Sequence, residues 1–387
     1  MNATDPTAGL PVWAEIDLDA LEHNVRTLRA RAPQSDFMAV VKADAYGHGL
    51  LPVARAAARA GAGWLGVAQL AEAFALRDAG ITTRLLTWLT VPGSDFAGAV
   101  RRDIDLSVSA TWTLYAIAAA AREHGSAARV HLKVDTGLGR GGASATDWAA
   151  LFEHARLLEA EGAITVVGIW THFALADAPE HPTVLGQQER FFEAVAVAER
   201  IGLRPEVRHL ANSAATLVHP SAHADLVRPG IAMYGLSPVP QIDDDFDLRP
   251  VMTLRARLAL VKPVPAGQGI SYGHVYRPEE DTLVGLVPAG YADGIPRNAT
   301  NVGPVHVGDR RTTIAGRVCM DQFVVDLGPD STAVAGDVVT LFGAAPDEPS
   351  AQDWAAATDT ISYEIVSRIG ARVPRIWRGG SGAGAEA

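Results

Sequence analysis

Along the first two-thirds of the chain, short apolar runs alternate with Ala-rich stretches whose hydrophobic residues recur at helical spacing. Uninterrupted apolar runs of this length read as strands covered on both faces, as in a parallel sheet. They end near Lys42, Ala68, Leu89, Ser109, Val134, Thr171, Ala211 and Arg228. Most are separated by amphipathic stretches that predict helices, such as 50–60, 69–79, 111–123 and 183–201. Eight strand–helix units in roughly 200 residues predict a (β/α)8 TIM-like barrel. A doubly wound open sheet is the alternative, and no glycine-rich dinucleotide fingerprint supports it. One strand, 12–17, is left over and is available to pair with a second domain. A helix is predicted from about Asp19, where Asp19-Ala20-Leu21-Glu22 has capping-box spacing with Asp19 as the cap.

The pattern changes after a stretch at 238–250, PVPQIDDDFDLRP, which is rich in proline and aspartate, lacks periodicity and reads as a linker. From 252 to 343, short runs of Val, Ile, Leu and Thr are broken by Gly, Pro and Asp every 8 to 12 residues, which predicts a mainly β domain. A helix near Ser350 to Thr358 starts at a Ser cap, and the glycine-rich end, about 379–387, is expected to be a disordered tail. The expected division is therefore a barrel over 1–240 and a mainly β domain over 241–387. No internal repeat is visible.

Composition narrows the function classes. With 387 residues, 48% of them hydrophobic, the chain has material for two real cores. A net charge of −11 argues against nucleic acid and anionic membrane as partners, since either requires a basic face. No apolar run approaches membrane-spanning length, and the start lacks a basic segment followed by an apolar one. One cysteine, Cys319, excludes an intramolecular disulfide framework and suits a reducing compartment, so the expected place is the cytoplasm. No metal is expected.

A barrel collects its chemistry at the C-terminal ends of its strands. The first barrel strand delivers Lys42 and Tyr46; the fifth delivers Lys133 and the loop Asp135-Thr136-Gly137-Leu138-Gly139-Arg140. The sixth delivers His172, the seventh Asn212 and Ser213, the eighth Arg228 and Gly230. Taken singly, each has a structural explanation: a core histidine, a helix cap, half of an ion pair. Together at one barrel mouth they point to a ligand, because burying them without one leaves costly unsatisfied groups. An ammonium at the end of an apolar strand, as at Lys42, is partly desolvated, which favours the free amine that Schiff-base chemistry needs. Asn212-Ser213-Ala214-Ala215 looks like a helix start and Arg228-Pro229-Gly230-Ile231 a tight turn; both aim backbone N–H groups outward, as an anion requires.

The segment Val40-Val41-Lys42-Ala43-Asp44-Ala45-Tyr46-Gly47-His48-Gly49 resembles the pyridoxal-phosphate lysine motif of bacterial alanine racemases. HLANSA, ending at Ala214, and VRPGIAMYG, from Val227, resemble that family's phosphate-holding motifs. Further similar segments are Gly269-Ile270-Ser271-Tyr272-Gly273, Gly290-Tyr291-Ala292-Asp293-Gly294 and Val318-Cys319-Met320-Asp321-Gln322. The resemblance runs from WAEIDLDALEHNV to RVPR, nearly the whole chain.

It implies a pyridoxal 5'-phosphate enzyme interconverting L- and D-alanine as a homodimer with shared active sites, supplying D-alanine for peptidoglycan. Lys42 would carry the cofactor and act as one base, and Tyr272, reaching into the partner's barrel, as the other. His172 and Arg228 are the candidates to assist the phenol, which ordinarily keeps its proton at neutral pH. The cofactor would be held by Tyr46, His172, Asn212, Ser213, Arg228, Gly230 and Ile231. Arg228 would face the pyridine nitrogen; a guanidinium does not give up its proton, so the ring stays a weak electron sink and transamination is disfavoured. Arg140 and the backbone N–H of Met320 would hold the substrate carboxylate, Tyr291 would line the entrance, and Lys133 would be carbamylated and pair with Arg140. Cys319 is assigned no catalysis. Two departures stand out: Ala371 precedes Arg372-Val373-Pro374-Arg375 where some members have a phosphate-contacting tyrosine, and Trp170 stands where tyrosine is common. A racemase of broader amino-acid preference is the nearest alternative, since one methylene in a pocket is worth only about 1–3 kcal/mol. A related barrel decarboxylase would have a poor electron sink in Arg228, and a non-enzymatic cofactor carrier would have no use for Tyr272.

Overall fold

The computed structural model describes residues 5–242 and 246–380. Of the expected tail, residues 381–387 lie outside the described part, as do 243–245 of the expected linker. The N-terminal half is a ring of parallel strands: β2 (Asp36–Val40), β3 (Trp64–Gln69), β4 (Arg84–Leu89), β5 (Asp105–Val108), β6 (Ala128–Lys133), β7 (Ile164–Trp170), β8 (Val207–His209) and β9 (Leu226–Val227). They form one 8-stranded sheet in which β2 pairs with β9, and each other strand pairs with its sequence neighbours. Between β8 and β9 the ring is completed by single bonds, Asp225 N–H to Arg208 O at 3.1 Å and Arg228 N–H to Ala211 O at 2.9 Å. Helices alternate with the strands, as the amphipathic stretches foretell: Leu50–Arg59, Leu70–Asp78, Thr111–His124 and Thr183–Ile201 among them. Their apolar stripes close on the outer face of the ring, where side chains such as Leu21, Val53, Leu114, Phe152 and Phe191 are wholly buried. Each contributes about 1.5–3 kcal/mol of burial free energy.

The first strand, β1 (Val12–Asp17), lies outside the ring. It pairs antiparallel with β10 (Met252–Arg257) and parallel with β17 (Arg375–Arg378). That sheet has the order β14-β13-β16-β10-β1-β17, with β13 at Pro304–Val307, β14 at Arg310–Thr313 and β16 at Val338–Phe342. A 3-stranded sheet of β11 (Leu260–Val264), β12 (Thr282–Val287) and β15 (Phe323–Gly328) completes the mainly β half. The first and last described strands therefore meet in one sheet. The 238–250 stretch is packed rather than loose near its end: Asn24 donates to Arg249 O at 2.8 Å and accepts from Arg249 N–H at 2.8 Å. Among the described residues, no helix is long and apolar enough to cross a membrane.

Two local expectations are corrected. The first helix, Leu18–Arg31, is capped by Asp17, whose carboxylate accepts from Ala20 N–H at 2.9 Å. Asp19 instead accepts from Gly380 N–H at 2.8 Å, and Glu22 pairs with Arg26 and Arg59. The first barrel strand stops at Val40, and Lys42 opens a turn of unusual hand. The Ser350 cap holds as expected, its hydroxyl accepting from Asp353 N–H at 3.0 Å ahead of the helix Ala351–Ala357.

Candidate active site

Ala43, Asp44, Ala45 and Tyr46 follow Lys42 with φ of 55°, 53°, 54° and 54°, a left-handed turn built from residues with side chains. L-residues avoid this conformation by roughly 1–2 kcal/mol each, so the surroundings must over-determine it. They do so on three sides. Within the turn, Ala45 N–H donates to Val41 O at 2.9 Å, and Asp44 accepts from Leu50 N–H at 2.7 Å, tying the turn to the helix that follows. From the barrel, Glu72 accepts from Ala43 N–H at 2.5 Å. From the far end of the chain, Arg375 donates to Gly47 O at 3.0 Å and Trp377 to His48 O at 2.9 Å. Gly47 and Gly49, with φ of 80° and 99°, abut the Val366 carbonyl and the Trp377 ring so closely that neither position has room for a Cβ.

The turn delivers Lys42 and Tyr46 into a cavity of about 380 Å³ at the C-terminal end of the barrel. Lys133, Arg140, His172, Asn212, Ser213, Arg228 and Gly230 also line it, so most of the strand-end residues meet in one place. Asp135 shapes the Arg140 loop by accepting from Gly137, Leu138 and Gly139 N–H at 2.9, 3.0 and 3.2 Å. Asn212 caps the helix Ser213–Val218 through Ala215 N–H at 3.0 Å. Ser213 Oγ accepts from Gly230 N–H at 2.8 Å and Ala232 N–H at 3.3 Å, so its own proton is free to be donated. Ile231 is wholly buried at the start of a 3-10 turn, Ile231–Tyr234, behind this wall. A Cβ on Gly230 would collide with the Tyr46 hydroxyl, which leaves a narrow cradle between Tyr46, Ser213 and the 230 backbone.

The cavity is strongly positive. Burial first, then Arg140, lowers the Lys42 amine, with Glu72 pulling the other way. Lys133 is pushed down to about 8 by burial and by Arg228 and Arg140. Burial and the surrounding cations hold His172 well below the ordinary imidazole range. Lys133 Nζ and the Arg228 guanidinium lie over the Trp170 ring at 4.4 and 4.9 Å, so the tryptophan, at the position where tyrosine is common in the family it resembles, offers these cations a π face. Its indole N–H donates to Ser107 at 3.0 Å.

Behind Arg228 runs a buried relay that no sequence pattern foretold. Arg228 Nη2 donates to Thr171 O at 2.8 Å and Leu210 O at 3.1 Å, while Nη1 lies 3.2 Å from His209 Nδ1. His209 Nε2 is 2.9 Å from His131 Nδ1, and His131 Nε2 is 3.1 Å from Asp105. A guanidinium only donates and a carboxylate only accepts, which assigns the proton of each neutral imidazole to Nε2. Other residues missed in the sequence are Trp88 and Tyr363 on the cavity wall and Glu72 beneath the Lys42 turn. Tyr363 stands 6.2 Å from Tyr46, ring to ring, and supplies a C-terminal phenol near the cradle although Ala371 does not. It sits in a short helix, Ser362–Ser367, eight residues before Ala371, where no local pattern marked it.

Tyr272, Tyr291 and Met320 are not brought to this cavity. They lie on the mainly β half, 71%, 44% and 53% exposed. Tyr272 follows Ser271, itself at φ 58°, whose hydroxyl donates to Arg317 O at 2.6 Å. The 290 and 320 segments are tied together by Arg372, which pairs with Asp293 at 2.6 Å and Asp321 at 2.7 Å.

Two family models match: "Alanine racemase, N-terminal domain" over residues 16–238 and "Alanine racemase, C-terminal domain" over 251–377. The alanine racemase of Frankia casuarinae is 58% identical over 381 residues, spanning 96% of this chain and 99% of that protein. That of Streptomyces coelicolor is 57% identical, spanning 96% and 97%. Among solved structures, alanine racemase from D-cycloserine-producing Streptomyces lavendulae superimposes with a TM-score of 0.94 at 56% identity, covering 96% of this chain and 97% of that one. The Bacillus anthracis alanine racemase with bound L-Ala-P gives 0.86 at 37% identity, covering 95% of each. Matched in both halves, and more than half identical to relatives along nearly its full length, the chain belongs to the alanine racemase family of isomerases.

Proposed function

We propose that the chain interconverts L- and D-alanine with pyridoxal 5'-phosphate and two bases on opposite faces of the substrate, as a homodimer. The observation that carries this is the meeting, in one positive cavity, of a desolvated lysine amine with the Tyr46–Ser213–Gly230 cradle. The residues fit that cofactor: a phosphate would accept hydrogen bonds from the Ser213 and Tyr46 hydroxyls, Asn212 and His172 would frame the remainder, and Ile231 would back the cradle. Bound there, the cofactor supplies an aldehyde that links to amines and a ring that withdraws the electron pair left when the α-proton departs.

Lys42 Nζ, lowered toward the free amine, takes or returns the α-proton on one face. The phenol of Tyr272 of the partner subunit does so on the other. Its exposure on its own chain and its absence from the lining of that chain's cavity support a role across an interface. Arg228 keeps a positive charge at neutral pH, though burial pushes it down to about 9, so it would leave a pyridine nitrogen held against it unprotonated. Arg140, with the backbone N–H of Met320 from the partner, orients the substrate carboxylate, and Tyr291 lines the way in. Carbamylation of Lys133 would place an anion among Lys42, Arg140 and Arg228, and an amine held near 8 is free enough to react with carbon dioxide. The division of labour follows the chain, with 1–240 as the cofactor barrel and 241–387 as the domain offered to the partner. Production of D-alanine for peptidoglycan in the cytoplasm is the role this chemistry serves.

The test is D-alanine formation from L-alanine by the purified protein, with the visible absorbance of bound cofactor measured alongside. Lys42→Ala should lose both. Racemisation by that variant near the wild-type rate, without added amine, overturns the assignment.

A further inference from the structure

Glu72 divides its carboxylate between two jobs. Oε2 accepts from Ala68 and Gln69 N–H, each at 3.1 Å, which is the ordinary duty of an N3 acid in the capping box of the helix Leu70–Asp78. Oε1 does something that helix does not need: it accepts from Ala43 N–H at 2.5 Å and Asp44 N–H at 3.4 Å, the first two N–H groups of the left-handed turn. Those groups have no carbonyl of the turn to bond. We propose that Glu72 is a positioning residue for the racemisation: it holds the strained turn in its left-handed form and so aims Lys42 at the reacting carbon. The inference rests on the reading of Lys42 as the cofactor-bearing base.

The chemistry of the side chain supports this assignment. A carboxylate presents only acceptors, and here all its partners are donors. An amide of the same shape presents one oxygen to one pair of N–H groups and turns an NH2 against the other. The carboxylate is also the anion that pulls the Lys42 amine back up against burial and Arg140, so its loss moves the same nitrogen in position and in charge. Relaxation of the turn toward right-handed geometry would displace Lys42 while leaving the Arg228 wall untouched, since that wall hangs on His209, Thr171 and Leu210.

The decisive comparison uses the holoenzyme and the variants Glu72→Gln and Glu72→Ala, with Glu159→Gln as control. Glu159 also accepts from a backbone N–H, that of Val166 at 3.0 Å, at the opposite end of the barrel. The measurements are kcat and KM for alanine, the rate at which the visible cofactor band is lost on challenge with hydroxylamine, and the pH at which that band titrates. Both Glu72 variants should lower kcat on the order of tenfold to a hundredfold, the usual penalty of misplacing a catalytic group. The band should be lost faster and titrate at a shifted pH, with little change in KM. Glu159→Gln should lower the melting temperature and leave kcat and band as in wild type. A folded Glu72→Gln protein with wild-type kcat, band and hydroxylamine sensitivity overturns the inference. So does a loss of melting temperature alone, which would make Glu72 a helix cap and nothing more. Absence of the visible band or of racemisation in the wild-type protein overturns the functional reading and this inference with it.

Discussion

A guanidinium buried at the foot of a cavity is tolerable only if its donors are occupied, and those of Arg228 go to two carbonyls and an imidazole. This fixes a positive charge on the cavity wall, where the proposed cofactor's ring would meet it. Arg228→Glu puts a proton acceptor there instead, and the expected result is racemisation lowered on the order of a hundredfold, with pyruvate appearing from alanine by transamination. Normal racemisation without pyruvate would show that Arg228 does not face the ring. Imidazoles supply a second test. His48 is held near 4 by burial, and His172 and His209 well below the usual range, so the folded chain keeps them neutral. The unfolded chain takes up those protons below about 6.5. It then binds more protons than the folded chain, and stability falls as pH drops from about 6.5 toward 4, by up to roughly 1.4 kcal/mol per histidine per pH unit. Urea midpoints measured from pH 7 to 5 should decline; a flat profile would mean these rings are charged in the fold. At this scale the sequence showed what lies at strand ends, where a polar residue breaks an apolar run, as at Lys42 and Arg228. It did not show His131 or Asp105, because a histidine inside RVHLKV looks like any strand interior, nor Glu72, which looks like any first-turn acid.

Elements were more legible than their joints. Apolar runs located the end of every barrel strand to within two residues, because burial on both faces leaves a continuous signal. The cap at Asp17 rather than Asp19 was a choice between two aspartates, settled by the contact of Asp19 with Gly380, which local sequence cannot reveal. No sequence pattern announces a left-handed turn made of Ala, Asp and Tyr; here distant residues such as Glu72 and Arg375 impose it. The Gly230 turn, by contrast, has a local logic that can be checked. Gly230→Ala sets a methyl against the Tyr46 hydroxyl and should weaken cofactor binding by about tenfold or more, one bonded contact's worth. The measurement is titration of the cofactor-free protein with pyridoxal phosphate. Because the two sites touch, and Tyr46→Phe removes the hydroxyl while leaving the ring edge 2.9 Å from the added methyl, the Gly230→Ala/Tyr46→Phe double variant should lose less than the sum of the two single losses, and strict additivity would remove the cradle from the account.

For the whole molecule, the notable fact is that Lys42 lines the cavity while Tyr272, the proposed second base, stands exposed elsewhere on the same chain. Leu89 on the cavity wall and Tyr272, Tyr291 and Met320 on the mainly β half are large side chains left 62%, 71%, 44% and 53% exposed. Association of two copies would cover such surface and, if the copies exchange arms, complete both sites. The sequence indicated the division into barrel and β domain through a change of period; which copy's tyrosine serves which lysine is a property of association that no single chain encodes locally. Mixing resolves it. Lys42→Ala and Tyr272→Phe chains should each be inactive alone. Combined under conditions in which dimers exchange, each heterodimer holds one site lacking both bases and one site with both intact. Random twofold association makes about half the dimers mixed, and each restores one site of two, so activity should recover to roughly a quarter of wild type. If both bases came from one chain, every site would lack one of them and nothing would return. Continued inactivity after exchange has been demonstrated, for instance by mass-tagged subunits, would therefore place Tyr272 outside the partner's site while leaving the chemistry at Lys42 intact.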